Sequence, residues 1–123
     1  MVWPRRIEHR ARHLKGYQAR RFLKALKPNQ KVHCCEVDGF TETVAEELTA
    51  KLEKIVSEED LVWLNYDRYI GEPEMQLSSV VHCAMNYNYP LSEDVILIYE
   101  HVSGVCDSDE ERAEILAYAP TVK

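Results

Sequence analysis

The sequence predicts an α+β fold: a compact, mainly antiparallel sheet packed by helices, led by a basic amphipathic N-terminal helix, with strand order left open. Three observations predict it. Apolar residues between Ala11 and Lys27 recur at a helical period. Between Met75 and Tyr89 they alternate, as on a half-buried strand. Val95–Val102 is a continuous run rich in β-branched and aromatic residues.

The leader comes first. Ala11, Leu14, Ala19, Phe22, Leu23, Ala25 and Leu26 fall on one side of a helical wheel, and Arg10, His13, Tyr17, Arg20, Arg21, Lys24 and Lys27 on the other. Pro28-Asn29 ends the helix, and Lys24 and Lys27 suit its negative end. Residues 1–28 therefore read as a basic helical segment and 29–123 as an acidic α+β body.

In the body, Lys31 to Val37 reads as a short strand ending at Asp38-Gly39. Thr41 then caps a helix running to about Val56, with Val44, Leu48, Leu52 and Ile55 as its apolar stripe. Ser57 and Asp60 have the i,i+3 spacing of a cap. Leu61 to Ile70 has strand-like composition, although Val62, Tyr66, Tyr69 and Ile70 also line one side of a helix. Gly71-Glu72-Pro73 is a boundary.

Met75, Leu77, Val81, Cys83, Met85, Tyr87 and Tyr89 alternate with a more polar set, which predicts a long or bent strand. Its rival is a helical stripe through Leu77, Val80, Val81 and Ala84. Pro90 to Asp94 is a turn, and Val95–Val102 reads as a core strand, with a helix capped by Ser92 as the alternative. Ser108 and Glu111 open a final helix that packs Ala113, Leu116 and Ala117 and ends at Pro120. The expected order is α-β-α-β-β-β-α.

Composition bounds the classes of function. A chain of 123 residues, 46% of them hydrophobic, suits one domain with a real core. Ten of the 15 Lys and Arg residues lie in the first 31 positions beside the single acid Glu8; the remaining 92 positions hold five basic and twenty acidic residues. No apolar run approaches the ~20 residues of a membrane span, and the basic start lacks the apolar segment of a secretory signal. A cytoplasmic protein is expected. Cys34, Cys35, Cys83 and Cys106 contain no CxxC spacing and fit reduced, structural thiols.

No reaction is named by the motifs. His33, Cys34, Cys35, His82, Cys83, His101 and Cys106 have metal-binding chemistry but no diagnostic spacing, so no metal or other cofactor is assigned. Cys83 with a histidine from another element could supply a thiol nucleophile, but the apolar run around it favours a core role. Neither a GxGxxG signature nor a glycine-rich phosphate loop is present.

The reading best supported is a non-enzymatic protein-interaction or regulatory protein. Tyr17, Arg20, Arg21, Lys24 and Lys27 of the leader, with Tyr87 and Tyr89 of the body, would contact an acidic protein surface. The opposite fields of leader and body would also suit a homodimer. Nucleic-acid binding through Arg10, Arg20, Arg21 and Lys24 is the main competitor, and a small Cys/His-dependent enzyme the weaker one.

Overall fold

The computed structural model describes residues 16–106 and 108–118. Among these residues the chain forms α1 (Gly16–Lys24), β1 (Val32–His33), a 3-10 turn (Cys34–Val37), α2 (Asp38–Leu52) and α3 (Glu58–Ile70). There follow α4 (Pro73–Asn86), α5 (Glu93–His101), β2 (Val102–Ser103) and α6 (Asp109–Tyr118). The expected antiparallel sheet is overturned. The fold is a helical bundle whose one sheet among the described residues is a two-residue parallel pair, Val32 with Val102 and His33 with Ser103.

Caps decide the two β-like segments. Ser57 Oγ accepts from the Asp60 amide at 3.2 Å and opens α3; Ser92 Oγ accepts from Val95 N at 3.3 Å and opens α5. Both serines are followed by acids in the first helical turn, where carboxylates suit the unsatisfied amides. Ser108 Oγ likewise accepts from Glu111 N at the start of α6. Capping outweighs the strand propensity of Leu61–Ile70, and capping with tertiary burial that of Val95–Val102.

The alternating stretch is also a helix. Pro73 occupies the first turn of α4, where its missing N–H costs no helical bond. The buried side is Leu77, Val80, Val81 and Ala84, the rival stripe, while the alternating Met75 is exposed and Cys83 and Met85 are half-buried. The end of α4 explains the Asn86–Tyr89 run. Asn88 takes a left-handed φ of 55°, which asparagine tolerates, and Tyr89 N–H bonds back to the Ala84 carbonyl at 2.8 Å. That segment is a helix cap and not a strand end.

The Lys31–Val37 strand shrinks to Val32–His33. At the turn that follows, His33 Nδ1 accepts from Cys35 N at 3.2 Å and Glu36 Oε2 accepts from His33 N at 3.1 Å. α2 begins at Asp38, ahead of the expected Thr41 cap; Thr41 lies inside the helix with its hydroxyl donating to Val37 O. Val44, Leu48 and Leu52 are buried as expected, whereas Ile55 lies beyond the helix and is exposed.

α2 packs on α4 to form the centre of the core, to which α5 adds Val95, Ile98 and Tyr99, and α6 adds Ile115. α1 contributes fully buried Ala19 and Leu23 to the same cluster, and a buried leucine of this kind stabilises by about 1.5–3 kcal/mol. Arg112 of α6 ties off α5 by donating to the carbonyls of Tyr99 and Val102, a cation at the negative helix end. No helix among the described residues is long and apolar enough to cross a membrane.

Candidate functional site

α3 is the anomaly of the bundle. Among its described side chains Leu64 alone is buried, while Val62 is 65%, Trp63 60%, Tyr66 55% and Tyr69 89% exposed. Val62, Tyr66 and Tyr69 stand at i, i+4 and i+7, so they make one stripe, with Trp63 beside it. The Trp63 and Tyr66 rings meet edge to face, centroids 6.1 Å apart and planes at 87°. An apolar helix face is ordinarily buried in its own domain; this one faces outward.

Polar contacts hold α3 in place. Arg68 Nε donates to Glu46 Oε2 at 2.9 Å, and the same oxygen accepts from Gln76 Nε2 of α4 at 2.9 Å. Arg68 Nη2 stands 2.6 Å from Glu53 Oε1, an ion pair outside good hydrogen-bond geometry. These carboxylates raise the Arg68 pKa against the opposing effect of burial, the hydrogen bond to Glu46 contributing most. At the other end of α3, Tyr87 Oη donates to Asp60 Oδ2 at 2.5 Å and accepts from Ser57 N at 3.0 Å.

Between α3 and α4 runs an open groove of about 480 Å³. Asp60, Trp63 and Asp67 line it from α3; His82, Cys83 and Tyr87 line it from the α4 side. Asp60, Trp63 and Asp67 stand at i, i+3 and i+7 on one face of α3, and the α4 lining pairs Ser78 with His82 and Ser79 with Cys83 at i, i+4. The Cys83 thiol is pushed up from its ordinary value of 9.0, first by burial and then by the Asp60 charge. It is therefore protonated at neutral pH and a poor nucleophile. His82 donates through Nδ1 to the Ser78 carbonyl at 2.8 Å, and its Nε2 faces Glu111 Oε1 at 3.4 Å, a pair made only by the protonated ring; neither contact is to Cys83.

Comparison of the chain with family models, with curated proteins and with solved structures finds no match. The functional reading rests on the geometry alone.

The leader's charges divide. Arg20 makes a two-pronged pair with Asp94, and Lys24 Nζ lies 2.8 Å from Glu93 Oε1, so both meet the start of α5 in their own subunit. Arg21 and Lys27 are exposed. Arg10 lies outside the described residues, as does the side chain of Tyr17. Tyr87 is spent on Asp60 and Ser57, and the half-buried Tyr89 offers its carbonyl to Tyr118 Oη at 2.8 Å.

Of the thiols and imidazoles, His33, Cys34 and Cys35 come together: Cys35 Sγ is 2.9 Å and Cys34 Sγ 3.8 Å from His33 Nδ1. The 3-10 turn, which replaces the opposite-facing placement of a strand, creates this proximity. Among the described residues no group of three or more His, Cys, Asp or Glu side chains has the arrangement of a metal site. Burial, then Glu74 and Asp38, raise the Cys34 thiol as well. His101 is buried and paired through Nδ1 with the Gln30 carbonyl at 3.0 Å, a structural bond between α5 and the segment after α1.

Sequence reasoning missed Trp63 and Asp67. The signal was the i, i+3, i+7 spacing of Asp60, Trp63 and Asp67, which means one face only once the segment is known to be a helix.

Proposed function

We propose that this protein is a non-enzymatic protein-interaction module whose docking surface is the outer face of α3. The observation that carries it is the outward stripe of Val62, Tyr66 and Tyr69 with Trp63 beside it, on a helix held to the bundle mainly by polar contacts. Trp and Tyr supply large contact area with few rotatable bonds, and they dominate the energetic centres of protein interfaces.

This reading moves the interface away from the leader. Arg20 and Lys24 already pair with Asp94 and Glu93, which leaves Arg21 and Lys27 as the proposed contact cations of the leader with no ion pair among the described residues. The same pairing weakens the phosphate-binding reading, because two of its four cations face carboxylates. A Cys83 thiol pushed up by burial, and a His82 turned to Ser78 and Glu111, count against catalysis by that pair.

The test compares three full-length baits in quantitative recovery from extract: the native chain, Trp63→Ala/Tyr69→Ala, and Arg21→Ser/Lys27→Ser. Circular dichroism and urea unfolding check that each variant folds. At least tenfold loss of a specific partner in the α3 variant, with retention in the leader variant, is expected. Equal recovery by the native and α3-variant baits, or dependence on Arg21 and Lys27 instead, would overturn it.

A further inference from the structure

The groove beside the docking face has its own chemistry. Asp67 lines it half-buried, and its side chain makes no hydrogen bond or ion pair among the described residues. Its chain neighbour Arg68 is committed to Glu46 of α2 and to Glu53 at the end of that helix. Neither lysine nor arginine lines the groove, where Asp60 adds a second carboxylate. A carboxylate lacking a counter-charge favours a cation that reaches it.

Trp63 supplies the second element. It precedes Asp67 by one helical turn, so an exposed indole and an uncompensated carboxylate are neighbours on one face. A planar guanidinium can stack on an indole while its edge forks onto a carboxylate, which a compact ammonium does less well. Trp63 also joins the groove to the Tyr66 stripe, so an occupant of one continues onto the other.

We propose that the α3–α4 groove receives an arginine side chain from a basic amphipathic helix of a partner protein, stacked on Trp63 and paired with Asp67, while that helix's apolar face covers Val62, Tyr66 and Tyr69. The inference rests on the docking role of α3 and names the chemistry of its partner. Asp60 lies seven residues before Asp67, about 10 Å along the helix axis. A second arginine two turns from the first would therefore meet Asp60 Oδ1, since Tyr87 occupies Oδ2.

The probe is a synthetic amphipathic peptide with leucine along one face and two flanking arginines seven residues apart. A counterpart carries citrulline, the neutral isostere, at both arginine positions. Each is titrated into the full chain, with the Trp63 indole N–H resonance and calorimetry as readouts.

The arginine peptide should bind at least tenfold more tightly than the citrulline peptide. Asp67→Asn should reduce that difference without weakening citrulline-peptide binding, and Tyr69→Ala should weaken both. Equal affinities for the two peptides, or an undiminished arginine preference in Asp67→Asn, would overturn the groove proposal while leaving the α3 face standing. Unchanged binding of both peptides in Tyr69→Ala would count against the face itself. Absence of any indole shift up to about 1 mM arginine peptide also overturns the groove proposal. Sedimentation without peptide tests self-occupancy: a concentration-dependent dimer lost in Asp67→Asn would assign the groove to a second copy and overturn the partner-protein assignment.

Discussion

Arg20 lies edge-on to Asp94, with Nε 2.6 Å from Oδ1 and Nη2 2.7 Å from Oδ2, and so fastens the basic N-terminal helix to the first turn of α5. The hydrogen bond and charge of Asp94 raise the Arg20 pKa further above its ordinary value, with smaller contributions from Glu93 and Glu47. The divided charge of the sequence is thus partly closed within one subunit. Arg20 still touches solvent, which screens the pair.

Arg20→Ala is expected to lower unfolding free energy by about 1 kcal/mol in urea titrations at low salt, less at high salt. Arg20→Lys should recover little of this, since an ammonium cannot make both bonds. Asp94→Asn should cost more than Arg20→Ala, because Asp94 also sits where α5 exposes its first amides. A double-mutant cycle with no coupling between the two positions would remove the pair from any account of how the leader is held.

Arg68 is the corresponding fastener for α3. It joins Glu46 and Glu53 of the α2 region, while Gln76 of α4 shares the Glu46 oxygen. Arg68→Ala should cost about 1–2 kcal/mol, reduced by the partial exposure of the pair. Its stronger signature is local: amide exchange should accelerate in Glu58–Ile70 more than in Glu93–His101, because α3 has little buried apolar surface to retain it. Uniform acceleration in both helices would show that α3 does not open as a separate unit.

The contrast between α2 and α4 shows what was legible in the sequence. Val44, Leu48 and Leu52 make a stripe with little competing pattern, and they are buried as read. In α4 the same helical stripe is overlaid by alternation through Met75, Leu77, Val81 and Cys83, and valines favour strands in isolation. Burial between α2 and the neighbouring helices decides the matter, a long-range effect absent from local pattern. α3 was unreadable for a different reason: its apolar residues face out, so inside and outside cannot be told from periodicity. The Asp60–Trp63–Asp67 groove inherits that ambiguity, whereas the basic face of α1 was plain in the sequence and only its acidic partners on α5 were not.

Gly104 makes a close approach that depends on having no side chain. Its φ of +89° lies in the left-handed region, and a Cβ there would stand 3.0 Å from Cys34 Sγ. Gly71 has a similar φ of +80°, but the nearest atom to its Cβ would be 4.0 Å away. Both Gly→Ala changes should cost about 1–2 kcal/mol for backbone strain, and Gly104→Ala should cost more because the sulfur must move. Replacing Cys34 by alanine in the Gly104→Ala chain should recover the excess. Equal losses at the two glycines would mean that the turn yields freely around Cys34.

Alkaline pH should weaken the fold. Burial raises the Cys34 and Cys83 thiols above their ordinary 9.0 and the Tyr99 phenol above its ordinary 10.0, with the Tyr99 hydroxyl buried and lacking a hydrogen bond of good geometry. A folded-state pKa above the unfolded one means that unfolding releases protons between the two values, so stability falls as pH rises. The contribution of these groups is complete below the unfolded thiol pKa and is lost progressively through their raised folded values. Urea midpoints should therefore show no thiol-linked change between about pH 7 and 8 and fall above about pH 9. Cys83→Ser should remove part of that slope, and iodoacetamide should label Cys34 and Cys83 more slowly in the native chain than in urea at pH 8. A midpoint that holds steady to pH 10, together with native labelling as fast as unfolded labelling, would show that the fold does not hold these thiols in their protonated form.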